Sequence, residues 1–238
     1  MWFKGLAAAF VAIASTCSLS QSAVAADSFL HGALSVAVGA SHSCAILSDN
    51  TVGCWGENEW GQLGNLSVTR SAVPVSVRLI ASGELLDDVT SIAAGTDFTC
   101  ALSHAKVYCW GHNHFGQLGA GTRDFVAHPW AIPVQMTSTD GSSDEPVVEL
   151  AASPAGYHAC ALLGDAAGTV RCWGANYSGQ LGDGTKTNNP TPVETVAPAF
   201  GGGYRRIESV KHIAAGGSHS CATINELYPY VVCWGGKR

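Results

Sequence analysis

A chain of 238 residues, 47% hydrophobic and 13% charged, has material for a packed core and lacks the charge-rich, apolar-poor balance of a disordered segment. Its formal charge of −6, with Lys and Arg scattered along the chain, offers no basic patch to hold a phosphate backbone, so nucleic acid is not an expected partner. Twenty-eight glycines and nine prolines argue against a helical bundle and suit short strands joined by tight turns, so the expected fold is all-β.

The N-terminus reads as a targeting segment. Lys4 is followed by the apolar run Gly5 to Ala14 and by the small residues Ala23-Val24-Ala25, the pattern of a signal peptide over residues 1–25 cleaved after Ala25. The run is shorter than the roughly 20 apolar residues a membrane span requires, so no membrane association is expected after cleavage. A lipid-bearing Cys17 is the lesser alternative, because Ala14-Ser15-Thr16 is a poor lead-in. Loss of Lys4 takes the formal charge from −6 to −7, and the expected location is secreted or periplasmic. Residues 26–33 form a linker.

Repetition starts at residue 34. Leu34 to Gly39 has counterparts at Val89 to Gly95, Val147 to Ser153 and Val210 to Gly216, each an inner strand whose small residues suit crowded neighbouring sheets. Four segments follow these, Ser43-Cys44-Ala45, Thr99-Cys100-Ala101, Ala159-Cys160-Ala161 and Ser220-Cys221-Ala222, and lead to Cys-Trp-Gly at residues 54, 109, 172 and 233. Pro74-Val75, Pro133-Val134 and Pro192-Val193 each open a β-branched run, and because proline cannot sit inside a ladder they are outer strands. A unit of four strands recurring about every 60 residues is a propeller blade. The expected blades are approximately 34–56, 71–111, 131–174 and 191–235, the first lacking a Pro-Val strand.

Cys172-Trp173-Gly174-Ala175-Asn176-Tyr177-Ser178-Gly179-Gln180-Leu181-Gly182, repeated from Cys54 to Gly64 and from Cys109 to Gly119, resembles the regulator of chromosome condensation repeat family over residues 34–235. The resemblance implies a β-propeller, usually a closed ring of seven blades. This sequence holds about four, so the expectation is an incomplete ring, or an open arc whose blade edges can pair with another copy, with a genuine small ring as the third reading.

Cys17 aside, eight cysteines fall two per repeat. Between the members of each pair, three-residue arms flank a turn of varying length, as in Ala45-Ile46-Leu47 and Thr51-Val52-Gly53 around Ser48-Asp49-Asn50. Equal arms place the two cysteines opposite each other across a hairpin, near disulfide reach. Four intra-blade disulfides are therefore expected, Cys44–Cys54, Cys100–Cys109, Cys160–Cys172 and Cys221–Cys233, in an oxidising compartment. Zinc is disfavoured by the absence of Cys-x₂-Cys spacing.

His42, His158 and His219 stand two residues before a first cysteine, but Phe98 fills the same place in the second repeat, so packing explains the position better than ligand binding. Trp55, Trp110, Trp173 and Trp234 are blade-to-blade core; Asn58, Asn113 and Asn176 bond their own turns. His112, His114 and His128 read as loop residues. Of two Asn-x-Ser sites, Asn65 is the better glycosylation acceptor and Asn176 the poorer. No nucleophile elbow, phosphate loop, His-Glu-x-x-His helix or repeated carboxylate pair is present. No catalytic residue, cofactor or metal is expected.

The functional expectation is a secreted, disulfide-stapled scaffold that binds a protein partner through inter-blade loops: 65–72, 123–130, 137–145 and 197–206. Arg123, Phe125, Trp130 and Arg205 are the candidate contacts. A propeller enzyme of the lyase kind, or an enzyme inhibitor of the same fold, is the alternative.

Overall fold

In a computed structural model, residues 30–136, 146–198, 204–225 and 227–236 are described. The expected signal peptide and the candidate segment 137–145 lie outside them. The unit His31–Arg238 is all-β. Its first sheet holds β1 (Ala33–Val38), β2 (His42–Leu47), β3 (Val52–Gly56) and β4 (Ser71–Ser76) in spatial order 1-2-3-4, every pair antiparallel. The second, β5 (Val89–Ala94), β6 (Phe98–Ser103), β7 (Lys106–Gly111) and β8 (His128–Pro133), and the third, β9 (Val147–Ala152), β10 (His158–Leu163), β11 (Val170–Gly174) and β12 (Asn189–Glu194), repeat that order. A hairpin of β13 (Val196–Pro198) and β14 (Tyr204–Arg206) precedes the fourth sheet, β15 (Val210–Ala215), β16 (His219–Ile224) and β17 (Tyr230–Gly235).

One expectation changes. The Pro-Val segments are outer strands, but each pairs with the Cys-Trp-Gly strand before it, as Cys54 with Val75 and Cys172 with Val193. The first sheet is therefore complete and the fourth is three-stranded. The sequence pattern fixes the outer position of such a strand; only pairing decides which sheet owns it.

Within each sheet the hairpin register is the one that equal arms demand. Cys44 faces Cys54, Cys100 faces Cys109, Cys160 faces Cys172 and Cys221 faces Cys233, with Cα atoms 4.0–4.1 Å apart, and all four pairs are bonded. Each closes a short loop, worth about 2–3 kcal/mol by chain entropy.

Consecutive blades pack inner strand against inner strand, β1 on β5, β5 on β9 and β9 on β15. The disulfide face of one blade meets the tryptophan face of the next. Cys44, Ile46, Val52, Cys54 and Leu63 share a core with Val89, Ala101 and Trp110, and the same positions recur between the third and fourth blades. Trp110 and Trp173 are fully buried, each worth roughly 2–3 kcal/mol of apolar burial.

Polar contacts cross the same boundaries. The indole N–H groups of Trp110, Trp173 and Trp234 donate to the carbonyls of Gln62, Gln117 and Gln180 in the preceding blade at 2.8, 2.9 and 3.0 Å. The Thr99 hydroxyl also donates to the Gln62 carbonyl (3.4 Å) and the Ser220 hydroxyl to that of Gln180 (3.0 Å). Each hydroxyl in turn accepts from a histidine Nε2–H, that of His42 or His158, at 2.8 Å. The Nδ1 atoms of His42 and His158 are buried without a partner, as suits neutral rings, and burial pushes both pKa values down to about 4.

These histidines make the fold acid-sensitive. Their folded pKa lies below the usual 6.5, so as pH falls below that value the unfolded chain takes up protons the folded chain refuses. Stability then declines towards pH 4. Between pH 7 and pH 5 each histidine is expected to cost roughly 2 kcal/mol, read as a fall in the urea midpoint. Replacing His42→Phe with Thr99→Ala, and His158→Phe with Ser220→Ala, should flatten that slope.

The disulfides differ in cover. Those of the first three blades are at most 1% exposed, whereas Cys233 is exposed and Cys221 half-buried on the open face of the fourth. Limited phosphine reduction followed by alkylation and peptide mass mapping should label Cys221 and Cys233 first, and the other six only on unfolding.

Candidate functional site

After each Cys-Trp-Gly the chain turns through a loop whose polar side chains are used up internally. The amide oxygens of Asn58, Asn113 and Asn176 accept from Leu63, Leu118 and Leu181 N–H at 2.9, 3.3 and 3.0 Å. Their amide nitrogens donate onwards, Asn58 to the Ser67 and Thr69 carbonyls and Asn113 to the Thr122 carbonyl and the Asp124 carboxylate. Gln62, Gln117 and Gln180 each accept a backbone N–H two residues back, at 2.9–3.0 Å. Asn176 is fully buried, which removes it as a glycan acceptor; Asn65 is half-buried and its amide oxygen accepts from Asn58. Gly61 and Gly116 lie at φ near +80° against Pro129 and Pro190 of the next outer strand, where a Cβ would come within 2.5 Å of backbone.

What this wiring leaves over is a set of rings on one face. Trp60 and His112 have centroids 4.3 Å apart; His112 lies 6.2 Å from Phe115 and 6.0 Å from Tyr157. Phe115 continues to His114 (4.7 Å), Tyr157 (5.1 Å) and Tyr177 (5.7 Å), and His114 packs edge-on with Phe125 at 3.9 Å. Seven rings from three motif loops and two neighbouring segments thus form one continuous patch. Phe125 is 70% and Tyr177 63% exposed, large apolar side chains left at the surface.

Charges of both signs lie nearby. Exposed Glu57 and Glu59 precede Trp60, and Glu57 lies 3.7 Å from the Arg70 guanidinium. Asp97, whose carbonyl accepts the His112 N–H at 2.9 Å, has its pKa raised by burial and then by Glu59. Burial and then His114 push His112 down to about 4 against the pull of Asp124, so it is neutral at pH 7, its Nδ1 accepting from the Gln117 amide at 3.0 Å. Burial tends to raise Asp124, but hydrogen bonds from His128 and Asn113 outweigh it and hold the carboxylate below its usual range.

Of the candidate contacts expected from sequence, Phe125 belongs to the patch and Arg123, exposed, lies two residues away. Trp130 sits on β8, half-buried and 6.5 Å from His128, with its indole N–H buried and without a hydrogen-bond partner. Arg205 is exposed on β14, at a cavity of about 50 Å³ shared with Arg206, Ile207 and Tyr230. The structure does not join Trp130 or Arg205 to the rings. Trp60, His112, His114, Phe115, Tyr157 and Tyr177 were not singled out as contacts. An available signal was the ring just before the second motif glycine in two loops, Trp60 and Phe115, and one residue earlier in the third, Tyr177.

A larger cavity, about 340 Å³, lies between the third and fourth blades, lined by residues that include Val148, Asp165, Ser209, Lys211 and Asn225. Among the described residues no group of three or more His, Cys, Asp or Glu is gathered to hold a metal.

Comparison with known proteins follows the same lines. The chain is 30% identical over 204 residues to the ultraviolet-B receptor UVR8 of Arabidopsis thaliana, covering 85% of this chain and 41% of the receptor. Human WBSCR16 superposes with a TM-score of 0.63 at 24% identity, over 85% of this chain and 47% of that one. Prp20p of Saccharomyces cerevisiae, whose structure is described together with its binding to Gsp1p and histones, gives a TM-score of 0.62 at 26% identity, over 84% and 44%. This chain therefore spans less than half the length of each. The profile of the regulator of chromosome condensation (RCC1) repeat matches residues 49–102, 104–162 and 167–223, and on that match, together with the four blades, the chain belongs to the RCC1 repeat family.

Proposed function

We propose that this chain is a non-enzymatic, protein-binding propeller of an oxidising compartment, secreted or periplasmic, and that the ring patch on its motif-loop face is the docking surface. The observation behind the proposal is the continuity of the patch. Aromatic side chains on the motif loops and beside them contact one another across three blades. Rigid aromatic rings lose little entropy on binding and are the usual anchors of protein interfaces. The family supports a binding role, and the protein partners reported for Prp20p support a protein as the ligand. Four disulfides support the compartment.

Phe125→Ala with Tyr177→Ala removes the two most exposed rings. The folded state should shift by no more than about 0.5 kcal/mol, since both are surface positions. Capture of a specific protein from the extracellular or periplasmic fraction of the source cells should fall about tenfold or more. The parallel variants Trp130→Phe and Arg205→Ala should leave capture unchanged. Loss of capture in Arg205→Ala, with the double ring variant still binding, would move the docking surface to the outer rim.

A further inference from the structure

The contacts between blades obey a pairing rule. At each boundary, the residue two before the first cysteine of one blade meets the residue immediately before the first cysteine of the next. His42 meets Thr99 and His158 meets Ser220, each at 2.8 Å, while Phe98 and Ala159 share the apolar core between the second and third blades. The rule is chemical. An imidazole N–H faces a hydroxyl that can accept it, and where the imidazole is replaced by phenyl the hydroxyl is replaced by methyl. A crossed combination would bury a donor or a hydroxyl without its partner, which a packed interface tolerates poorly.

Two members of the set have no counterpart among the described residues. His219 stands exposed on the fourth blade, and Ser43 half-buried on the first. They belong to opposite halves of the interface and they match: histidine on the donor side, hydroxyl on the acceptor side. The surfaces around them match too. On the first blade Leu34, Val36 and Val38 are exposed, Val36 by 61%, although its equivalent Ile213 is buried against the third blade. On the fourth, exposed Val231 and Cys233 stand where Val170 and Cys172 are covered by the blade that follows.

We propose that two copies of this chain associate head to tail, the fourth blade of one against the first blade of the other, with the His219 Nε2–H donating to the Ser43 hydroxyl across the contact. The first blade of the second copy brings Val36, Ser43 and Trp55 to the places that Ile213, Ser220 and Trp234 occupy inside one chain. Such a contact is heterologous, and the rotation per blade decides whether it closes into a pair or continues as a string. The association joins separate chains and so depends on concentration. It uses the blade faces and is independent of the ring patch.

The test is sedimentation velocity of the mature oxidised chain from about 1 to about 100 micromolar, a span that brackets a micromolar contact. The average mass should rise with concentration. His219→Phe and Ser43→Ala should each weaken the association about tenfold, and the double variant, which recreates the Phe98–Ala159 pair, should return to within about threefold of the original. Both substitutions lie on open faces, so melting temperatures of all four proteins should agree and exclude misfolding as the cause. A monomer throughout the range, or a double variant no better than the worse single one, overturns the proposal.

Discussion

The hydrogen bond from a tryptophan indole to the glutamine carbonyl of the preceding blade ties the structure together. Its donor is locked in the core between two sheets, and its acceptor belongs to the loop that leaves the preceding sheet. Blade packing and loop shape therefore form as one event. The loop cannot take another course without leaving a buried N–H unpaired, a cost of about 1–3 kcal/mol, and the sheet cannot tilt without breaking the loop. The glutamine side chain reinforces this by holding the loop N–H two residues back, while the asparagine holds both ends.

The repeated wiring consumes the Asn, Gln, Leu and Gly positions of the motif loops and leaves only the intervening loop residues outside it. Those residues, together with the segments before β8 and β10, make the ring patch. A rigid scaffold with side-chain choice confined to its loop tips suits a binding surface: the rings are held in place before any partner arrives, which lowers the entropy lost on docking. His112, at the centre of the patch, is neutral at pH 7, and charges of both signs, Glu57, Glu59, Arg70 and Arg123, lie near its edge in the chain.

The disulfides serve a different need. The first three lie on the face that the next blade covers, and the fourth lies on the equivalent, open face of the last described blade. They hold the hairpin in register before its neighbour packs, a use suited to an arc whose end blades are covered on one side only. The end blades also show what packing contributes. Equivalent residues are buried between blades and exposed at the ends, so burial here follows neighbourhood rather than residue type.

The strand pattern, the outer place of the Pro-Val segments and the opposition of the cysteines were legible in the sequence, because each follows from local rules: alternation, the missing proline donor, and equal arms about a turn. The repeat motif likewise disclosed the buried Trp110 and Trp173 and the self-bonding asparagines, whereas Trp55 and Trp234, expected in the same core, are half-buried. Tertiary structure alone decided the rest. It assigned the Pro-Val strand to the sheet before it, since a ladder's partner is a matter of pairing, and it placed Trp130 and Arg205 apart from Phe125. It also brought His112, Phe115, Tyr157 and Tyr177 together from separate blades, because contact between blades depends on the rotation that packing sets, which no local pattern in the chain encodes.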